Sequence, residues 1–285
     1  MKRIIYLWLA FILSLTTVYA STHQWLKLPP TPTLPKAEKS GYANVNGIRL
    51  WYAEFGKGKP VIMLHGGVGN SNYWGNQVRA LEKHYKVIVI DSRGQGRSTN
   101  DGSLITYQLM ASDVVAFMNS INLKKAAIVG WSDGANTGLE LAINYPSRVS
   151  RLFAFAANSN PKAIKDYAKS PVFSKYVARS QVEYKKLSLT PNGYDNLLKE
   201  IANMWATKPN LTKEQLNSIK VPVWIVDAQD EEAIKRENTL YMADEIPNAG
   251  LLILPDVSHF AFLQNPKLFN DCLLDFLSAK RESIS

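Results

Sequence analysis

The chain is poor in sulfur and in histidine. It contains one cysteine, Cys272, and four histidines among its 285 residues. A single cysteine cannot form an internal disulfide, so we expect the hydrophobic core to stabilise the fold and Cys272 to be a small buried apolar residue. No cluster of cysteine and histidine indicates a metal site, and no glycine-rich phosphate-binding loop is present. The sequence therefore predicts a protein that uses neither a metal nor another cofactor.

The N-terminal apolar run is too short for a typical transmembrane helix, which needs about 20 residues. It covers residues 4–15, follows Lys2 and Arg3, and is followed by Val18-Tyr19-Ala20. A basic start, a short apolar run and small residues at the end are typical of a secretory signal peptide. We expect residues 1–20 to be removed and the protein to be secreted or periplasmic. An uncleaved membrane anchor is the alternative.

The remaining 21–285 segment is long enough for one domain with a sizeable core. Four prolines within residues 29–35 indicate an extended lead-in, which we place at 21–40. The domain is then expected at 41–285. From residue 41 onwards, apolar strand-like runs alternate with helical patterns, and this alternation predicts an α/β fold with a mainly parallel sheet. Its first element is predicted as a hairpin from Gly41 to Gly56, with a type I′ turn at Asn46-Gly47.

One segment interrupts the alternation of strands and helices. Residues 160–220 have helical patterning and no strand-like run, and they contain five large aromatic residues that we expect mainly to pack this segment's own helices. These residues are Phe173, Tyr176, Tyr184, Tyr194 and Trp205. A few of them should roof an apolar binding site.

The net charge of +9 is unevenly distributed. Residues 160–220 hold eleven lysines and arginines against five acidic residues. A solvated lysine-rich face is the favoured interpretation, and weak association with anionic envelope surfaces is the alternative. No recognised nucleic-acid-binding motif occurs, so no nucleic-acid partner is expected.

The most informative motif is Gly130-Trp131-Ser132-Asp133-Gly134, which lies between an apolar run and a helical pattern. A Gly-x-Ser-x-Gly sequence between a strand and a helix indicates a nucleophile elbow, which exposes the serine hydroxyl at the carboxyl end of a sheet. The helix N-terminus beneath Ser132 would favour developing negative charge. Ser132 is therefore the candidate nucleophile, and Trp131 beside it is a candidate substrate contact.

A loop earlier in the chain further supports hydrolytic chemistry. A strand-like run leads into His65-Gly66-Gly67, a loop that can direct a backbone N–H at an oxyanion. Gly67 is the predicted donor, Val68 is its alternative, and the N–H of Asp133 is the second donor. The His65 ring is interpreted as structural.

A second compact turn follows another strand-like run. It contains Asp91 and Arg93, which we expect to organise the turn rather than to react.

The candidate acid and base come last in the chain. A strand-like run ends at Asp227, and the segment after it contains Asp230 and Glu231. His259 follows the final strand-like run and is the one histidine that comes after the acid. In this arrangement His259 would take the proton from Ser132, and a carboxylate would fix the tautomer of the imidazole.

In combination, these motifs resemble those of the α/β-hydrolase family, in the branch that contains esterases, lactonases, thioesterases and carbon–carbon bond hydrolases. The resemblance covers nearly everything from Gly41 to Ala279. It implies an α/β-hydrolase fold, with a mainly parallel sheet flanked by helices and a helical cap inserted after the sixth strand, at about 160–220. The order serine, acid, histidine agrees with this family.

One departure from the family pattern concerns the acid. The family usually places an aspartate in a Gly-x-x-Asp turn, and the corresponding residues here are Ala228 to Glu231. Glutamate is an accepted member of such triads, so Glu231 is the preferred acid and Asp230 is the competing candidate. Asp227 is expected to face the interior.

The resemblance implies a serine hydrolase that cleaves a small, largely apolar ester, thioester or lactone through an acyl-enzyme, and the predicted signal peptide implies that it is exported. Perhydrolysis or carbon–carbon bond hydrolysis by the same triad is one alternative. Another alternative is a ligand-binding protein that no longer catalyses a reaction, and the departures from the family pattern at Ala228 and Glu231 support it. The sequence leaves the substrate and the oligomeric state open.

Overall fold

The computed structural model describes residues 23–279. The predicted signal peptide, residues 1–20, lies outside this range. Eight strands form one sheet in the order β1-β2-β4-β3-β5-β6-β7-β8. Their bounds are β1 Lys39–Val45, β2 Ile48–Phe55, β3 Lys59–Leu64, β4 Tyr85–Ile90, β5 Ala126–Trp131, β6 Val149–Phe155, β7 Val223–Ala228 and β8 Ala249–Leu254. Strands β3 to β8 are parallel, whereas β2 is antiparallel to both of its neighbours, β1 and β4.

Helices cover both faces of this sheet. Within the described residues they are α1 Gly75–Leu81, α2 Tyr107–Ser120, α3 Asp133–Asn144, α4 Pro171–Leu187, α5 Tyr194–Thr207, α6 Lys213–Asn217, α7 Arg236–Glu245, α8 Ala261–Gln264 and α9 Pro266–Ser278. Buried apolar side chains fill the space between helices and sheet on each face. Across residues 23–279, no helix is both long and apolar enough to cross a membrane.

The opening hairpin is confirmed. Strands β1 and β2 pair in an antiparallel register that ends with Val45 opposite Ile48. The two residues between them, Asn46 and Gly47, have φ angles of 44° and 77°. Positive φ at both central residues is what a type I′ turn requires, and asparagine and glycine adopt it readily.

Residues 160–220, which we call the cap, connect β6 to β7 and contain α4, α5 and α6. Sequence signals at the helix starts explain their positions. The Ser170 side chain accepts a hydrogen bond from the Phe173 N–H, and Pro171 occupies the first turn of α4. Thr212 and Gln215 form a capping box at α6. The predicted helical cap after the sixth strand is therefore confirmed.

The lead-in contains a short 3-10 helix, Gln24–Leu26, followed by residues 27–38 without helix or strand, and it packs against the domain. Arg179 of α4 donates hydrogen bonds to the carbonyl oxygens of Leu28, at 2.9 Å, and Pro29. Arg79 of α1 donates to the Thr33 carbonyl oxygen at 2.9 Å. The Thr31 hydroxyl donates to a carboxylate oxygen of Glu183 in α4. The lead-in thus joins the cap to the helices of the main domain.

Candidate active site

Ser132 lies in a sharp turn between β5 and α3. Its φ and ψ angles are 54° and −116°, which is an unusual conformation for a residue with a side chain. The turn is held because the Ser132 N–H donates to the Phe155 carbonyl oxygen at 2.8 Å. Gly134 allows close packing, because a Cβ atom there would collide with the carbonyl oxygen of Leu64. The geometry is that of a nucleophile elbow.

Glu231 and His259 are brought together at the same end of the sheet. The His259 Nδ1 lies 2.8 Å from Oε1 of Glu231, and both side chains are buried. The same carboxylate oxygen accepts the backbone N–H groups of Ala233 at 2.7 Å and Ile234 at 3.2 Å. These donors fix the carboxylate, so His259 can donate from Nδ1 and leave Nε2 to accept a proton.

The two other candidate acids lie elsewhere. The Asp230 side chain is half-buried and makes no hydrogen bond or ion pair among residues 23–279. Asp227 is fully buried and pairs with Arg236 at 2.9 Å and with the Thr239 hydroxyl at 2.8 Å. The structure therefore places Glu231, and neither aspartate, on the His259 ring.

The charged forms of Glu231 and His259 stabilise each other. Burial disfavours the ionised form of Glu231, but the charge of His259 and the surrounding N–H donors hold its pKa below the ordinary value. Burial also works against the imidazolium form of His259. The nearby carboxylates outweigh that effect, with Glu231 the largest contributor, so the pKa of His259 is raised.

The loop after β3 faces the elbow. Its turn is closed by a hydrogen bond from the Gly69 N–H to the Gly66 carbonyl oxygen at 3.1 Å. Gly67 and Val68 are the central residues of this turn, so its own hydrogen bond does not use their N–H groups. Val68 has a φ of 56°. A side chain at Gly67 would collide with the Asp133 carboxylate, which shows how closely the loop approaches α3.

His65 holds this loop, as predicted. Its Nδ1 lies 2.7 Å from the Gly66 carbonyl oxygen, and its Nε2 accepts the Ser92 N–H at 3.0 Å. This pattern requires a neutral ring, and burial lowers the pKa of His65 accordingly.

The prediction for the turn after β4 is also confirmed. Asp91 accepts backbone N–H groups of Ser71 and Arg97, at 2.7 and 2.8 Å. Arg93 is buried and paired with Asp113 and Asp101. These side chains organise the turn through buried ion pairs and backbone contacts.

The carboxylate of Asp133 is a feature that the sequence analysis missed. We had predicted a role only for its backbone N–H, which is the first of α3 and has no intrahelical partner. Its buried Oδ1 accepts the Trp205 indole N–H at 2.8 Å and the Tyr107 hydroxyl at 2.9 Å. Oδ2 has no hydrogen-bond partner among the described residues. Burial raises the pKa of Asp133 to about 6, although both donors and the His259 charge oppose that effect.

A narrow cavity lies beside Ser132 and Asp133. It is lined by Tyr107, Ser132, Asp133, Asn158, Ile164, Tyr167, Phe173, Trp205, Ala233 and Ile234. The volume of this cavity is only about 20 Å³. The cap supplies its aromatic roof, including two of the five residues anticipated there, Phe173 and Trp205.

Trp131 is not among the residues that line this cavity. Its ring is buried and lies 5.8 Å from the His259 ring, centroid to centroid, within an aromatic cluster that includes Tyr176 and Phe262. The structure therefore places Trp131 behind the candidate base rather than at the cavity surface. Within residues 23–279, no group of three or more His, Cys, Asp or Glu side chains could hold a metal ion.

Comparison with known proteins identifies relatives of this fold. A family model described as alpha/beta hydrolase fold matches residues 59–184. The 2-hydroxy-6-oxo-6-(2'-aminophenyl)hexa-2,4-dienoic acid hydrolase of Metapseudomonas resinovorans is 24% identical over 266 residues, which cover 85% of this chain and 91% of the relative.

Two solved structures illustrate the similarity of fold. CarC, a serine hydrolase involved in carbazole degradation, is 25% identical with a TM-score of 0.72, and the match covers 84% of this chain and 98% of CarC. The enol-lactonase from Burkholderia xenovorans LB400 is 22% identical with a TM-score of 0.67, and the match covers 84% of this chain and 100% of that protein. The chain has the α/β-hydrolase fold and is a hydrolase enzyme of that fold.

Proposed function

We propose that this protein is an exported serine hydrolase that cleaves a small ester, thioester or lactone, with Ser132, His259 and Glu231 as its catalytic triad. The observation that carries this proposal is the buried 2.8 Å contact between His259 Nδ1 and Glu231, at the end of the sheet that also holds the Ser132 elbow. The N–H groups of Asp133 and of Gly67, or alternatively Val68, form the oxyanion hole.

In the proposed reaction His259 Nε2 takes the hydroxyl proton of Ser132 while Oγ attacks the substrate carbonyl carbon. The carbonyl oxygen becomes an oxyanion that the two backbone N–H groups stabilise. Collapse of this intermediate breaks the bond to the leaving group, which takes the proton from His259. Water then attacks the acyl-enzyme, again giving its proton to His259, and the acid is released as Ser132 recovers its proton.

The cavity supports a small and largely apolar acyl group. Its walls are mostly aromatic and aliphatic, and its narrow space favours a small group. Asp133 adds a polar feature. Because its pKa is about 6, the carboxylate is mostly ionised at neutral pH and lies beside the proposed oxyanion donors, where it repels the developing negative charge.

This repulsion favours a second, narrower candidate: substrates that carry an ammonium group close to the scissile carbonyl. The unpartnered Oδ2 of Asp133 would accept a hydrogen bond from that group, and the substrate cation would offset the charge of the carboxylate. Carbon–carbon bond hydrolysis is the remaining enzymatic alternative. It is supported by the relative from Metapseudomonas resinovorans, because the dienoic acid in its name contains no ester bond.

The nucleophile is tested by comparing the wild-type enzyme with Ser132→Ala on a panel of chromogenic esters, thioesters and lactones. We expect the substitution to reduce kcat by about 10⁴-fold or more. A fluorophosphonate probe should label Ser132 in wild-type protein, as located by peptide mass spectrometry, and should not label the variant. Well-folded wild-type protein that neither reacts with the probe nor turns over any substrate would instead indicate a ligand-binding protein.

Export is proposed from the sequence of residues 1–20. The expected mature protein begins at Ser21, and an intact-mass measurement of protein recovered from the producing cell tests this. A mass that includes Met1, with the protein in the membrane fraction, would indicate an uncleaved anchor.

A further inference from the structure

Two consecutive glutamates contact the same histidine in different ways. Glu231 accepts the ring N–H of His259, as described above. Glu232 accepts the backbone N–H of His259 through Oε2, at 2.9 Å. Its other oxygen, Oε1, accepts the Ser258 hydroxyl at 3.2 Å. The loop after β7 therefore binds the base both at its ring and at its backbone.

We propose that Glu232 is a positioning residue that holds the backbone of His259 so that Nε2 stays directed at Ser132. This inference rests on the proposed function, in which His259 is the general base. The hydrogen bond at Nδ1 sets the rotation of the His259 ring. It does not fix the backbone of His259, and Nε2, on the opposite side of the ring, moves when the backbone moves. A misplacement of about 1 Å at a reacting group can cost about 10²-fold in rate, so a backbone anchor has a direct catalytic consequence.

The contacts around Ser258 extend this anchor. The Ser258 N–H donates to Oε1 of Gln264 at 2.7 Å, and Nε2 of Gln264 donates to the Ser258 hydroxyl at 3.0 Å. The same Gln264 nitrogen donates to the Lys27 carbonyl oxygen of the lead-in at 2.8 Å. The segment that carries His259 is thus held on one side by Glu232 and on the other by α8 and the lead-in.

The Glu232 carboxylate also adds negative charge near His259. Burial and the neighbouring Glu231 raise the pKa of Glu232 to about 7. Its outer side borders a surface groove that includes charged residues of the cap and of its own loop, namely Lys165, Asp166, Lys169 and Asp230. Ionised Glu232 raises the pKa of His259 together with Glu231 and Asp227, and the charge of Asp133 also interacts with that of His259.

Two substitutions separate the hydrogen bonds from the charge. In Glu232→Gln, the amide oxygen can still accept the His259 N–H, and the amide nitrogen can donate to the Ser258 hydroxyl. This variant removes only the charge. Glu232→Ala removes both the hydrogen bonds and the charge. The matched control is Glu237→Ala, which truncates an exposed glutamate in the first turn of α7.

We expect Glu232→Ala to lower kcat by about 10- to 100-fold for a chromogenic ester, while KM stays within about twofold because Glu232 does not line the catalytic cavity. Glu232→Gln should keep kcat within about threefold of wild type. In the pH profile of kcat/KM, its acid limb should move to lower pH, because His259 loses a neighbouring negative charge. Glu237→Ala should match the wild-type enzyme in both respects.

The proposal is overturned if well-folded Glu232→Ala keeps the wild-type kcat while Ser132→Ala is inactive. That outcome would leave the proposed function standing. Full activity in Ser132→Ala would instead reject the proposed function itself. If Glu232→Ala does not fold, as judged by circular dichroism, Glu232→Asp decides. It keeps the charge, but its shorter side chain withdraws the carboxylate from the His259 N–H, and an unchanged kcat contradicts the proposal.

Discussion

Two buried carboxylates flank Ser132, and they have opposite electrostatic properties. Glu231, in the loop after β7, contacts the His259 ring and two backbone N–H groups, and its pKa is lowered. Asp133, at the start of α3, accepts two neutral side-chain donors, and its pKa is raised to about 6. Each of the two carboxylates keeps one oxygen unpaired among the described residues.

The comparison shows what controls charge at this site. Burial raises the pKa of both carboxyl groups, so burial alone does not distinguish them. The difference lies in the partners, because an ionisable imidazole and backbone donors stabilise a carboxylate more than an indole and a phenol do. Glu231 therefore has its cationic partner within the protein, whereas the Asp133 carboxylate contacts only neutral groups.

Removing the charge of Glu231 should give the larger effect. We expect Glu231→Gln to lower kcat by about 10⁴-fold, because a neutral amide cannot stabilise the imidazolium that forms during the reaction. The residual activity should have its acid limb at lower pH, since the carboxylate that raises the pKa of His259 is gone. Steady-state kinetics between pH 5 and pH 9 measure both quantities.

Asp230→Asn is the matched control for that experiment. Its side chain makes no hydrogen bond or ion pair within residues 23–279, so we expect less than about a twofold change in kcat. Glu231→Asp should also reduce activity, because the shorter side chain withdraws the carboxylate from the His259 ring. A severe loss in Asp230→Asn with a mild one in Glu231→Gln would show that Asp230 is the acid.

Removing the charge of Asp133 should give a smaller effect that depends on the substrate. For an ester with an ammonium group beside the carbonyl, Asp133→Asn should lower kcat/KM by about 10- to 100-fold, the range expected for loss of one charged hydrogen bond. For the isosteric ester without the ammonium group, kcat/KM should stay level or rise, because repulsion of the oxyanion is removed. Equal losses on both esters would contradict a role of the Asp133 charge in substrate selection.

The sequence predicted the parts of this site that depend on local chain geometry. Glycines around Ser132 indicated the elbow, and the structure has the strained φ that such a turn requires. Asn46 and Gly47 indicated a hairpin in the same way. Element ends were less accurate. For example, the hairpin was predicted from Gly41 to Gly56, whereas its strands run from Lys39 to Phe55.

Contacts between distant segments could not be predicted from local patterns. The partners of the Asp133 carboxylate, Tyr107 and Trp205, come from α2 and from the cap. Glu232 meets His259 across 27 positions of sequence. Trp131, beside the nucleophile, was expected at the substrate but packs behind the base. Each of these placements depends on how helices dock on the sheet, and no short motif encodes that docking.

The lead-in has a consequence for the order in which the chain folds. Its hydrogen bonds to Arg179 join residues 150 and 151 positions apart, and its hydrogen bond to Glu183 spans 152. During synthesis the lead-in leaves the ribosome long before α4 exists, so its hydrogen bonds to α4 cannot form until the cap has been made. Closing such a long loop is entropically costly, and strands and helices with nearer partners can form first. Docking of the lead-in on α4 is therefore a late step in folding.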